Sequence, residues 1–414
     1  MSEWKEYMLF KIQGLTIIDG DRGVNYPKQD DFMDEGHCLF LNTGNVTKQG
    51  FNFKDIKFIS VEKDNILRKG KLKRNDLILT TRGTIGNIAF YNESVKYENL
   101  RINSGMILIR FDETVLPSYI YQQIKSNFIQ QQFDLFASGT AQPQIPIKDL
   151  LKVKLYLPPL QTQQKIANIL GTYDELIEVN NERIKILEET AQSLYKEWFV
   201  RFRFPNYQNT EFIKGVPKGW EVVKLKDLVS TQYGFTESAS TEKIGPKFLR
   251  ITDIVDSQID WNSVPYCKIP QKELNKYLLK CGDIVVARTG ATVGFAKRIH
   301  KNSPECVFAS YLVRLKPLND LFNIYLGLTV DSQNYRDYIQ TVASGSAQPG
   351  TNANVMSEFY LFKPNIEIVE KLNFIIDPIF DQIETLQQQN TELRQIRDRL
   401  LPRLISGKMK VSEP

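Results

Sequence analysis

Histidine is almost missing from this chain: only His37 and His300 occur in 414 residues. That leaves little material for Ser-His or Cys-His catalysis. Cysteine is scarce too, with Cys38, Cys267, Cys281 and Cys306 scattered and no CxxC pair. Among the histidines and cysteines only His37 and Cys38 stand side by side, too few for a closed zinc site, so no metal is expected. The pattern reads as reduced thiols in a cytoplasmic protein. The longest apolar runs, at 283–287 and 373–376, are far too short to cross a bilayer. The opening MSEWKEYMLFKIQ has no basic region followed by an apolar stretch, so no signal peptide and no membrane partner are expected. Neither GxGxxG nor a GxxxxGK phosphate loop occurs, which removes the usual nucleotide sites. The Pro158-Pro159 pair lacks the preceding Asn or Asp and the following aromatic that an amino-methyltransferase site requires. No cofactor and no catalytic residue are therefore assigned.

What the chain does contain is a duplication. ASGTAQP at 137–143 returns as ASGSAQP at 343–349, an offset of 206. At the same offset VKLYLPPL (153–160) returns as FYLFKPNI (359–366). DLILTTRGTIG (76–86) returns as DIVVARTGATVG (283–294) with one inserted residue, and WKEYML (4–9) returns as WEVVKL (220–225). So long a period means two copies of a domain rather than a solenoid of short repeats. Each half opens with a mixed region. Short β-rich runs are expected at 77–81, 87–91 and 106–111, and at 284–287, 293–296 and 312–315; a helical stretch follows at 117–136 and at 321–342.

Each half closes on a long helix, expected at about 161–199 and 367–401 behind prolines 158–159 and 364. Both carry an apolar seam with alternating spacings of four and three, as a coiled coil requires. Antiparallel pairing in one register sets Ile184 against Leu386, Leu187 against Ile383, Ala191 against Ile379, Leu194 against Ile376 and Trp198 against Leu372. The same register sets Asn180 against Asn390 and leaves Tyr173 opposite Arg397 as the exception. The expected fold class is α+β: two duplicated mixed α/β domains separated by a pair of long antiparallel coiled-coil helices, pseudo-two-fold symmetric. The expected boundaries are 1–158, 159–203, 204–364 and 365–414.

The net charge of +5 is carried by the globular parts: +3 over 1–158 and +4 over 204–364, against −1 in each helical segment. Excess positive charge of this kind suits phosphate neutralisation. The candidate contact residues lie in two pairs of segments. Thr81, Arg82, Gly83, Thr84 and Asn87 in the first half, and Arg288, Thr289, Gly290 and Thr292 in the second, join β runs with glycine, threonine and arginine. Glycine admits close backbone approach, arginine forks onto guanine or phosphate, and threonine donates to phosphate. Ser138, Gly139 and Gln142, and Ser344, Gly345 and Gln348, offer hydroxyls and amides. Those latter segments read equally as structural junctions before a helix. Carboxylates show no arrangement that repeats between the halves.

Two variable globular regions, each ending in SGTAQP or SGSAQP and a hydrophobic-Pro strand, followed by a long helix opening LQTQQKIANIL, resemble the specificity subunits of type I restriction–modification systems. GWEVVKLKDL at the start of the second half and the DLILTTRGTIGN and DIVVARTGATVG segments share that resemblance. The second half departs from the pattern at QPGTN (348–352) and where its helix opens NIEIVEKLNFI. The resemblance implies two target-recognition domains reading a bipartite, asymmetric site on double-stranded DNA. It also implies two modification (methyltransferase) subunits that methylate adenine with S-adenosylmethionine, restriction/translocase subunits that use ATP, and no catalysis by the subunit itself.

Overall fold

A computed structural model describes residues 4–139, 143–255, 258–343 and 350–411. The chain divides into two units, Asn180–Gln388 on one hand and Met1–Val179 with Gln389–Pro414 on the other.

In the first unit the strands Thr16–Asp19, Met106–Arg110, Leu77–Thr80 and Ile88–Phe90 form, in that order, an antiparallel sheet. Strand residues alternate between faces. Leu77 and Leu79 join one core, with Tyr119, Ile129, Phe133 and the helix residues Ile166, Leu170 and Leu404; Ile78 joins another, with Leu39, Leu41 and Leu100. Burial on both faces explains why these strands read as unbroken apolar runs. A parallel pair, Cys38–Leu41 with Leu100–Ile102, stands beside it, and Lys5–Met8 pairs with Lys154–Leu157.

The second unit repeats this plan. Val229–Tyr233, Leu312–Pro317, Ile284–Ala287 and Ala296–Arg298 lie in the same order, all antiparallel. Lys247–Leu249 pairs parallel with Cys306–Phe308, and Glu221–Lys224 pairs with Tyr360–Lys363. The strand expected at 293–296 begins instead at Ala296, because Gly290–Thr292 forms a 3-10 turn and Gly294 takes a φ of 87°. Each expected helical stretch is two helices: Pro117–Ile124 and Asn127–Phe136, then Asn323–Val330 and Gln333–Ala343. Serines make the breaks, Ser126 Oγ accepting from the Ile129 N–H and Ser332 Oγ from that of Tyr335. A hydroxyl that satisfies an orphan amide starts a new helix.

The long helices are Leu160–Tyr195, continued by a wide turn at Lys196–Val200, and Ile366–Ile405. Within the first unit Ile166 and Leu170 share a core with Leu400, Leu401 and Leu404. Within the second, Ile184 and Leu187 cluster with Ile379, Ile383 and Leu386, while Ala191, Leu194 and Trp198 share a core with Leu372, Ile376 and Ile379. These groupings follow the expected antiparallel register. Asn180 and Asn390 are both buried. The Tyr173–Arg397 exception resolves one residue away: Arg397 donates to Asp174.

Candidate nucleic-acid interface

Strand register aligns the two sheets residue by residue. The row Asp19–Ile107–Leu79 of the first corresponds to Tyr233–Val313–Val286 of the second. Beyond it the Thr81 N–H donates to Gly105 O at 2.9 Å, as the Arg288 N–H donates to Tyr311 O at 3.0 Å. The Ile145 N–H donates to Thr81 O at 2.9 Å, as that of Thr351 donates to Arg288 O at 2.9 Å. Arg288 therefore stands where the first unit has Thr81, and Thr289 stands where it has Arg82. Gly83 and Gly290 follow at matched places, both with a φ of 76°, which a side chain resists. The inserted residue falls between these glycines and the next pair, Gly86 and Gly294, whose amides close the turns onto Thr80 O and Ala287 O.

The two candidate segments of each half are joined by backbone bonds. In the first unit Arg82 bridges to Gln144, Ser138 bridges to Gln144, and the Gly83 N–H donates to Pro143 O at 3.0 Å. In the second, Thr289 bridges to Gly350. Gly139 takes a φ of 96° just past Ser138. Gln142, Ser344, Gly345 and Gln348 lie outside the described residues.

The candidates divide by what their side chains touch. Thr81 is buried and its hydroxyl donates to Gly105 O. Asn87 is buried and donates to Val46 O at 2.9 Å, which holds the turn against a neighbouring hairpin. Gly83 and Thr84 are exposed, and among the described residues nothing bonds to the Arg82 guanidinium. Thr289 and Gly290 are half-buried. The Thr292 hydroxyl is buried and has no partner among the described residues. Arg288 Nε donates to Ser310 O at 3.0 Å, and its guanidinium lies 5.2 Å from the centre of the Tyr233 ring.

Several basic residues have partners within their own unit. Lys71 pairs with Asp64 at 2.5 Å, and Arg74 lies 4.3 Å over the Tyr91 ring. Arg298 donates to Asn323 at 3.0 Å and lies over Phe380, and Lys301 pairs with Asp381 at 2.6 Å. One expectation is overturned: a carboxylate does repeat. Asp76 and Asp283 are both buried before matched strands, accept from the Lys73 and Lys280 amides at 2.7 and 2.9 Å, and face Arg110 and Arg314. They close turns inside each sheet. His37 lies 3.4 Å from Asp64, and burial pushes the Cys38 thiol up to about 12. No metal-binding group of side chains occurs among the described residues. Among them, too, no helix is long and apolar enough to cross a membrane.

The sequence reading missed Arg22, which bonds the Ser104 carbonyl and Asp19, and Tyr233, which lies beside the Arg288 guanidinium on the Ser310 carbonyl. The one available signal was a glycine closing each first strand, Gly20 after TIID and Gly234 after STQY. A Cβ on Gly20 would lie 2.2 Å from Asn103 O, and one on Gly234 2.2 Å from Ala309 O. The strand end is thus pressed onto the same loop in both units.

A domain present twice, with polar glycine-turned loops at one sheet end and different side chains at matched positions, defines a duplicated recognition module. The chain belongs to the type I restriction modification DNA specificity domain family, whose model matches residues 2–189 and again 217–395. It is 26% identical over 352 residues to the type I restriction enzyme MjaIX specificity subunit of Methanocaldococcus jannaschii, covering 82% of this chain and 79% of that one. It is 24% identical over 492 aligned residues to the HindI specificity subunit of Haemophilus influenzae, covering 99% and 100%. The crystal structure of a type I S subunit from M. genitalium shares the fold, with a TM-score of 0.50 at 14% identity, covering 99% of this chain and 97% of that one.

Proposed function

We propose that this chain is the DNA sequence-recognition subunit of a type I restriction–modification complex. Residues 1–158 and 204–364 act as target-recognition domains, each reading one half of a bipartite, asymmetric site, and 159–203 and 365–414 act as the helical spacer. The chain itself catalyses nothing. It directs adenine methylation by two modification subunits and cleavage by restriction/translocase subunits, in the cytoplasm.

One observation carries this reading: matched positions at the same sheet end hold Thr81 and Arg82 in one half and Arg288 and Thr289 in the other. Identical scaffolds with non-identical hydrogen-bonding side chains suit two different half-sites. Backbone contacts position such a module, and side chains at base edges specify the sequence. Thr84 and Gly83, Thr292 and Gly290, and Ser138 and Gly139 are assigned to this surface with them, and Gln142, Ser344, Gly345 and Gln348 are assigned DNA contact from the repeat alone.

The test is an exchange. Residues 1–158 are replaced by the matching part of a relative, the chain is assembled with its modification subunits, and the methylated sequence is mapped. One half of the methylated site changes and the other stays. A change in both halves together overturns independent reading.

A further inference from the structure

In each half one arginine rests on the same carbonyl, although it reaches it from a different place in the chain. In the first unit Arg22 Nη2 donates to Ser104 O at 3.2 Å and to Asp19 Oδ1 at 3.2 Å. In the second, Arg288 Nε donates to Ser310 O at 3.0 Å beside the Tyr233 ring. Ser104 and Ser310 correspond, each lying two residues before the matched strand residues Met106 and Leu312. Asp19 and Tyr233 correspond by register as well. The arginines do not. Arg22 lies three residues beyond Asp19, where the second unit has Thr236, and Arg288 lies where the first unit has Thr81. Arginine and threonine have exchanged places, and the cation's resting point has been kept.

The fold does not explain that retention. The Asp19–Arg22 pair is solvent-accessible, with the Arg22 side chain 52% exposed, and exposed pairs add little stability. Tyr233 is 44% exposed and Tyr311 56% exposed, an open rim rather than a core. Among the described residues the remaining guanidinium nitrogens have no partner: Nη1 and Nη2 of Arg288, Nη1 and Nε of Arg22. Arg288, held through Nε, leaves its Nη1–Nη2 edge open, the fork that guanine O6 and N7 accept; Arg22 has spent Nη2, which both forked edges share, and keeps only single donors. The Ser310 carbonyl and the Tyr233 ring hold that fork before DNA arrives, which lowers the ordering cost of the contact.

We propose that Arg288 reads one guanine, in the half-site of the second unit, with Tyr233 as its positioning residue. This rests on the proposed function, and its test is separable from that reading. The chain is assembled with its modification subunits, and the methylated sequence is mapped for the native protein and for Arg22→Lys and Arg288→Lys. Lysine keeps the charge and loses the fork. Arg288→Lys should accept other bases about ten-fold more readily at a single G·C position in the half-site read by 204–364, while Arg22→Lys, with no free fork to lose, should leave the base preference unchanged. Tyr233→Leu should relax the same position as Arg288→Lys and no other; a merely structural role would not produce that match. Unchanged base preference in Arg288→Lys overturns the inference. So does uniform weakening at every sequence, which marks phosphate contacts instead. A native complex that methylates no bipartite sequence overturns the proposed function itself.

Discussion

Arg397, near the end of the second long helix, donates through Nη1 to Asp174 on the first. Asp174 also accepts from Lys125 at 2.9 Å and from Gln122 at 2.7 Å, both beside the break that ends the helix Pro117–Ile124. One carboxylate thus ties both long helices to the globular part of the first unit. Burial pushes the Asp174 pKa up, but the Lys125 and Arg397 charges outweigh it and hold the group below its ordinary value. Asp174→Ala leaves two cations facing each other in a largely buried site, and should cost ~3 kcal/mol in chemical denaturation. The depressed pKa also sets a sign: this stabilisation is complete above the ordinary carboxylate range and is lost as pH falls through the lowered folded value. The gap between native and Asp174→Ala protein should therefore narrow only under strongly acid conditions.

Glu188 gives the opposite dependence. It lies on the first long helix, accepts from Gln258 of the second globular part, and Gln258 in turn accepts from Gln387 of the second long helix. Burial raises its pKa to about 6, against the opposing Gln258 hydrogen bond. A raised carboxylate destabilises the fold when ionised, fully above the folded pKa and not at all below the unfolded one. Glu188→Gln should stabilise the protein at pH 8 by about 1–2 kcal/mol, and the difference should vanish as pH falls below about 4.5. Thermal unfolding across that range measures it; a pH-independent difference contradicts the assignment.

The close approach at the sheet end predicts a matched pair of defects. Gly20→Ala and Gly234→Ala each force a methyl to within 2.2 Å of a backbone carbonyl, which cannot swing aside as a side chain would. Each should destabilise by ~1–3 kcal/mol. Denaturant titration reads this directly, and a neutral effect at both sites would refute the equivalence of the two strand ends.

Arg82 should behave unlike Arg288. Nothing among the described residues holds its guanidinium, so no fork is preset. Arg82→Ala is expected to weaken DNA binding of the assembled complex evenly across sequences and to reduce the salt dependence by about one ion. Binding titrations at several salt concentrations check both parts. A changed methylated sequence would mean that Arg82 reads a base.

The duplication, the β runs around 77–81 and 284–287, and the heptad seams of the long helices were all legible in the sequence, because each is a local pattern of apolar spacing or a repeated phrase. Even the pairing of Ile184 and Leu187 with Leu386 and Ile383 followed from seam arithmetic alone. The helix breaks at Ser126 and Ser332 were not, since apolar spacing runs through them while a single hydroxyl restarts the helix. The sequence also grouped Arg82 with Arg288 as candidates, because both lie in matched Gly/Thr turns between β runs. Tertiary structure separated them by one position, and one position turns a side chain to the other face of a strand. Arg22 lies 82 residues from Ser104, the carbonyl it bonds. Whether an arginine is held there depends on strand register and on a glycine pressed against a loop, relations between distant segments that no local spacing encodes.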